Sequence, residues 1–181
     1  MKKILFCLAI VFTTSTAIAG SKPIQLSLTP NIALHSRHEI IEGLTLSIWG
    51  ENRQEALSLG IVNGSKGQSV GASLGLFNYA DYYRGIHFGL FGVNYTKNNF
   101  FGGQIGWFGG NDAGQMKGLQ LGAVNWAEHM NGVQFGLLNY AETAQTGVQI
   151  GLVNIIAQNK KWFGNFPNEV APGMVFVNWR F

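Results

Sequence analysis

GVQFGLLNYAETAQTGVQIGLVN, residues 132–154, says nearly the same thing twice. Each copy reads glycine, apolar residue, glutamine, apolar residue, glycine, two apolar residues, asparagine. Aligned on the second glycine, related units return as LSLGIVN around Gly60, ASLGLFN around Gly75, IHFGLF around Gly89, GQIGWF around Gly106 and LQLGAVN around Gly122, at spacings of 14 to 17 residues. That interval suits one strand of nine or ten residues and a short turn, and is too short for a helical hairpin or a propeller blade. Glycine in mid-segment costs a helix about 1 kcal/mol against alanine, so the unit reads as a strand.

Successive side chains of a strand point to opposite faces. Val133, Phe135 and Leu137 therefore lie opposite Gln134 and Gly136, and the same division holds for Leu119 and Leu121 against Gln120, and for Val148 and Ile150 against Gln149. It holds also in Ile24, Leu26 and Leu28 against Gln25 and Ser27, before the repeats begin. One face is apolar throughout. The other is small or polar, then becomes apolar at Val62, Phe77, Phe91, Phe108, Val124, Leu138 and Val153. Turn formers separate the strands, as at Glu142 to Thr146, and about ten strands are expected within one domain, residues 20–181.

Residues 1–19 read as a cleaved secretory signal. Lys2 and Lys3 precede an apolar run from Ile4 to Phe12, too short for the roughly 20 residues that span a bilayer, and Ala17-Ile18-Ala19 is a small-x-small cleavage pattern. The single cysteine, Cys7, lies in this leader, so no disulfide framework is expected. Beyond it, ten of the 12 Lys and Arg face nine Asp and Glu, and no basic patch argues for nucleic acid. Charged residues are only 12% of the chain, few for a freely soluble domain.

Export, an even number of alternating strands, short turns and an apolar face that needs covering predict an antiparallel up-and-down β-barrel, which satisfies every backbone group in a bilayer and leaves no edge. Glutamine and glycine then face the lumen, with Phe77, Phe91 and Phe108 narrowing it. Trp49, Tyr79, Tyr95, Trp126, Tyr140 and Trp179 form interfacial girdles. The C-terminal MVFVNWRF, residues 174–181, ends on an aromatic residue with apolar residues at alternate positions, and resembles the terminal strand of outer-membrane barrels. The alternative is a β-solenoid or another soluble repeat fold, in which each unit is one coil and its Asn and Gln stack in ladders. The uneven unit length, and the first two strands, which lack the phrase, weigh against that alternative.

The units GLQLGAVNWAE, GVQFGLLNYAE and GVQIGLVNIIA, with PIQLSLTPNIAL before and FVNWRF after, resemble the bacterial surface-repeat proteins first grouped from spirochaete genomes. The resemblance covers essentially all of residues 20–181, departing at Gly92 and Gly109, where asparagine is expected. It implies export to the outer membrane or cell surface, and it carries no catalytic residues to transfer.

Candidate lumen-facing or ligand-binding residues are Gln25, His87, Gln104, Gln120, Gln134, Gln149, Asn178 and Arg180. The one local cluster of chemical groups is His35, His38 and Glu39, in the first loop, which as two imidazoles and a carboxylate suit a metal or a base with its orienting partner. It lacks the spacing of a metalloprotease helix and has no evident partner segment, so a solvated hairpin tip is the expected reading. No catalytic residue, cofactor or metal is expected. The expected role is structural or adhesin-like, with outer-membrane lipid, the barrel-assembly machinery and a host or surface ligand as partners. A narrow ligand-binding or transport barrel is the alternative, and a hydrolase at the barrel rim a further one.

Overall fold

The computed structural model describes residues 21–89 and 91–181, so the expected leader lies outside the described residues. The strands are β1 (Ser21–Thr29), β2 (Ile32–Ala33), β3 (Ile40–Glu51), β4 (Arg53–Leu74), β5 (Phe77–Phe88), β6 (Val93–Phe135), β7 (Leu138–Ile156) and β8 (Gly173–Arg180). They form one sheet in the order β2-β1-β3-β4-β5-β6-β7-β8. The pairs β1–β3, β3–β4, β4–β5, β5–β6 and β6–β7 are all parallel. Only β2 and β8, at the two ends, pair antiparallel.

This pairing overturns the barrel. Consecutive strands of an up-and-down barrel are joined by hairpins and run antiparallel. Here Gln134 is in register with Gln149, Gly132 with Gly147 and Asn125 with Asn139, so the chain completes one coil between each repeat and the next. The molecule is a β-solenoid. The segment YAETAQT does not reverse the chain: it is extended within β7, with Ala141 and Ala144 buried, and carries the coil round to its starting point one rung higher.

Parallel stacking in register is favoured because it sets like on like. Asn63, Asn78, Asn94, Asn111, Asn125, Asn139 and Asn154 form an unbroken ladder, each Nδ2 donating to the next Oδ1 over 2.7–2.9 Å. Gln120, Gln134 and Gln149 form a second, each Nε2 donating to the preceding glutamine's Oε1 over 2.7–2.8 Å, beginning at Gln104. Each is worth about 1 kcal/mol net, and aligned amides strengthen one another. Glycine makes the coil possible at one corner. Gly85, Gly102, Gly118 and Gly132 stack with φ of 130–145°, and a Cβ on Gly118 would lie 2.2 Å from the carbonyl oxygen of Gly102.

Both features that weigh against coils in the sequence have local explanations. In the units around Gly89 and Gly106 two extra residues precede the asparagine, so Asn94 and Asn111, rather than residues 92 and 109, hold the ladder positions. The additional chain bulges outward and stacks Phe91 on Phe108, with ring centroids 5.2 Å apart. The first strands join the same column without the phrase: Gln25 is in register with Thr45, and Thr45 with Ser58.

The remaining interior is apolar, a column of Ala80, Tyr83, Phe100, Ala113, Met116, Ala127, Met130, Ala141, Ala144 and Ile156. The two ends are closed. At the first, Gln25 accepts from His35 N and donates to His35 O, while Asn52 Nδ2 donates to Ser36 O and Glu39 O. At the second, β8 continues the sheet in reverse, and residues 157–172 fold over it.

Candidate interaction surface

The solenoid has a filled interior in place of a lumen, which changes the meaning of every residue expected to line one. Gln25, His87, Gln104, Gln120, Gln134, Gln149 and Asn178 are all buried and share one column. Each glutamine of the ladder also donates to a backbone carbonyl across the coil: Gln120 to Trp126, Gln134 to Tyr140, Gln149 to Ile155. They are wall ties. Arg180, half-buried, pairs with Glu169 and donates to Asn159 Oδ1, fastening the last strand to the capping segment.

His87 takes a glutamine position without joining the ladder. Its ring packs against Tyr83 (centroids 3.9 Å apart) and Phe100 (5.4 Å), and its Nδ1 has no hydrogen-bond partner among the described residues. Burial alone pulls its pKa from 6.5 down to about 3, so the imidazole is neutral near pH 7. Beside it, burial pushes the Tyr83 hydroxyl up to about 12, offset in part by its hydrogen bond with Ser73.

The first-loop cluster does not assemble. His35 is engaged through its backbone, His38 is exposed, and no group of three His, Cys, Asp or Glu among the described residues is placed to hold a metal. His129 Nδ1 meets Thr143 Oγ1 at 2.6 Å on the surface.

What the fold presents is on the outside. From the corner glycine to the ladder asparagine, the arcs 71–78, 85–94, 102–111, 118–125, 132–139 and 147–154 contain no Lys, Arg, Asp or Glu. The charges of these coils, among them Lys66, Asp81, Lys97, Lys117, Glu128 and Glu142, fall on the other half. On the uncharged half Leu74, Ile86, Leu119, Phe135 and Ile150 point outward. The chain then bends, as at Gly75–Leu76 and Gly136–Leu137, and two successive residues face out together: Leu76 with Phe77, Trp107 with Phe108, Leu137 with Leu138, Leu152 with Val153. These pairs make an apolar ridge running along the solenoid. Phe77, Phe91 and Phe108, expected to narrow a lumen, stand on this ridge at 50%, 66% and 64% exposure.

The expected girdles are likewise redistributed. Tyr79 is in register with Tyr95, and Trp126 stacks on Tyr140 with centroids 3.8 Å apart, so the rings form two pairs where the uncharged half meets the charged half, with Asp112 at the equivalent place between them. Trp49 Nε1 donates to Tyr79 Oη, which donates to Glu51. The ridge residues Trp107, Phe108, Leu137 and Leu152, together with Phe135 and Ile150, help line a shallow apolar groove of about 680 Å³. The sequence carries a signal for this surface that alternation alone passes over: the doubled apolar residue before five of the seven ladder asparagines.

Comparison with family models, with curated proteins and with solved structures found no match to this chain.

Proposed function

We propose that this chain is a non-catalytic, exported β-solenoid that lies on a lipid surface of the cell envelope, apolar half inward, and presents its charged half to the surroundings in a structural or adhesin-like role. The observation that carries this reading is the inverted polarity of the coils, with amide ladders inside and an uncharged apolar half outside. About nine rungs spaced roughly 4.8 Å apart and an arc of two short strands, roughly 20 Å across, give on the order of 800 Å² of apolar face. Exposed patches beyond a few hundred Å² on soluble proteins mark contact with a partner or membrane.

The boundary of this half favours lipid. The Tyr and Trp pairs there suit the headgroup level, where rings with one apolar and one polar edge are most favourable. The resemblance to surface-repeat proteins, and the leader expected at residues 1–19, agree with export.

Flotation of the purified protein with phospholipid vesicles tests the reading. Binding is expected, and is expected to fall at least tenfold in the double variant Phe108→Lys, Leu137→Lys, since each substitution sets a charge where an apolar group of roughly 2 kcal/mol transfer energy stood. Failure to float, or recovery of the cell-expressed protein wholly outside the envelope fraction, would overturn it. The groove supports a second reading, a single apolar ligand bound on the surface, because about 680 Å³ is the size of a small-molecule site. Saturable displacement of a fluorescent fatty acid at one site per chain, without vesicle binding, would select it.

A further inference from the structure

We infer that the segment Lys160–Phe166, at the C-terminal end of the solenoid, is an anchor for anionic phospholipid that sets how the molecule sits on its membrane; this rests on the lipid-surface reading above. The segment reads KKWFGNF, and all seven residues are exposed. Its backbone is nevertheless held in place. Phe163 N donates to Val170 O over 2.7 Å, Asn159 Nδ2 donates to Ala171 O, and Trp179 Nε1 donates to Pro167 O over 2.8 Å. Trp162, Phe163 and Phe166 are therefore displayed by a fixed scaffold, 57–64% exposed. Phe163 has φ of 56°, a conformation that costs a bulky residue free energy and that clusters at functional sites.

The display is continuous with the apolar half of the coils. Phe166 packs on Trp179 with centroids 6.1 Å apart, and Trp179 is in register with Val148, which extends the outward column of that half. Charge decides which lipid. Lys160 and Lys161 have no ion-pair partner among the described residues, and they adjoin three exposed aromatic rings. Two unpaired cations beside aromatic side chains complement an anionic headgroup layer, where the rings enter the interface and the ammonium groups meet phosphate.

The test is flotation of the purified protein with vesicles of phosphatidylcholine alone and of phosphatidylcholine mixed with phosphatidylglycerol, at low and high salt. Binding to the mixed vesicles is expected to be stronger by roughly tenfold or more, to weaken with salt, and to lose that preference in Lys160→Gln, Lys161→Gln. Trp162→Ser is expected to lower binding to both, and Phe163→Asn, which tolerates positive φ, tests the ring without disturbing the loop. Vesicle binding without anionic preference, or unchanged by all these substitutions, overturns the anchor while leaving the ridge reading intact. Absence of binding to either vesicle overturns both.

Discussion

His87 gives the sharpest test of the coil register, because it is a titratable group placed in an amide column. The unfolded chain takes up a proton at this side chain near pH 6.5, whereas the folded state resists until about pH 3. Between those values the unfolded state binds more protons, so stability falls as pH falls and levels off below the folded value. The loss is roughly 2 kcal/mol by about pH 5 and roughly 3 by about pH 4, at about 1.36 kcal/mol for each tenfold rise in proton concentration. Replacement His87→Gln nearly conserves volume and adds an amide between Ser73 and Gln104 in the same column. It is expected to change stability at neutral pH by less than about 1.5 kcal/mol and to remove the acid sensitivity that His87 contributes. Denaturant unfolding followed by circular dichroism at several pH values, wild type against variant, reads this directly, since carboxylate titrations common to both cancel in the difference. Parallel pH slopes in the two proteins would refute the placement of His87 in the interior.

Two further substitutions probe the coil. Gly118→Ala puts a Cβ 2.2 Å from Gly102 O at a φ of 130°, and is expected to cost roughly 2–4 kcal/mol, whereas Gly103→Ala, whose Cβ meets nothing within 4 Å, is expected to be near neutral; thermal melts of equal midpoint would contradict the stacked corner. Asn125→Leu interrupts the asparagine ladder, leaving Asn139 Oδ1 and Phe135 O without the Asn125 donor and Asn111 Nδ2 without its side-chain acceptor, and is expected to cost about 3 kcal/mol in a urea titration.

Alternation in the sequence sorts the side chains correctly: Gln120, Gln134 and Gln149 point one way and Leu119, Phe135 and Ile150 the other, and in the folded chain the first set is buried and the second exposed. What alternation does not carry is the direction of the neighbouring strand, because parallel and antiparallel pairing both keep a period of two. The discriminating signal is the place where alternation breaks. Leu137 and Leu138, or Leu152 and Val153, are both apolar and both exposed, which a straight strand with one buried face does not explain and a bend explains at once. Taken as an inner face turning apolar, the same residues suggest a narrowed lumen. The asparagines at 94 and 111 are displaced from the expected positions by inserted glycines, so the continuity of that ladder is visible only through the bulges that carry Phe91 and Phe108. The surface site was legible as composition, in uncharged arcs, but not as a ridge.

The two ladders also explain why the exterior is free to be apolar. Asparagine amides donate toward the C-terminal end and glutamine amides toward the N-terminal end, so the dipoles of the two ladders oppose one another in part. Cohesion between rungs thus comes from backbone pairing, amide ladders and a narrow column centred on Met116 and Met130, to which the stacked outward leucines and phenylalanines add. In a conventional domain those large apolar residues would be buried because folding needs them there. Here they stack on in-register neighbours with much of each side chain left exposed, from Leu26 to Val153, an arrangement suited to contact with something outside the molecule. A surface left largely outside the core, free of charge over six successive arcs and bordered by aromatic rings is physically suited to association with an apolar phase.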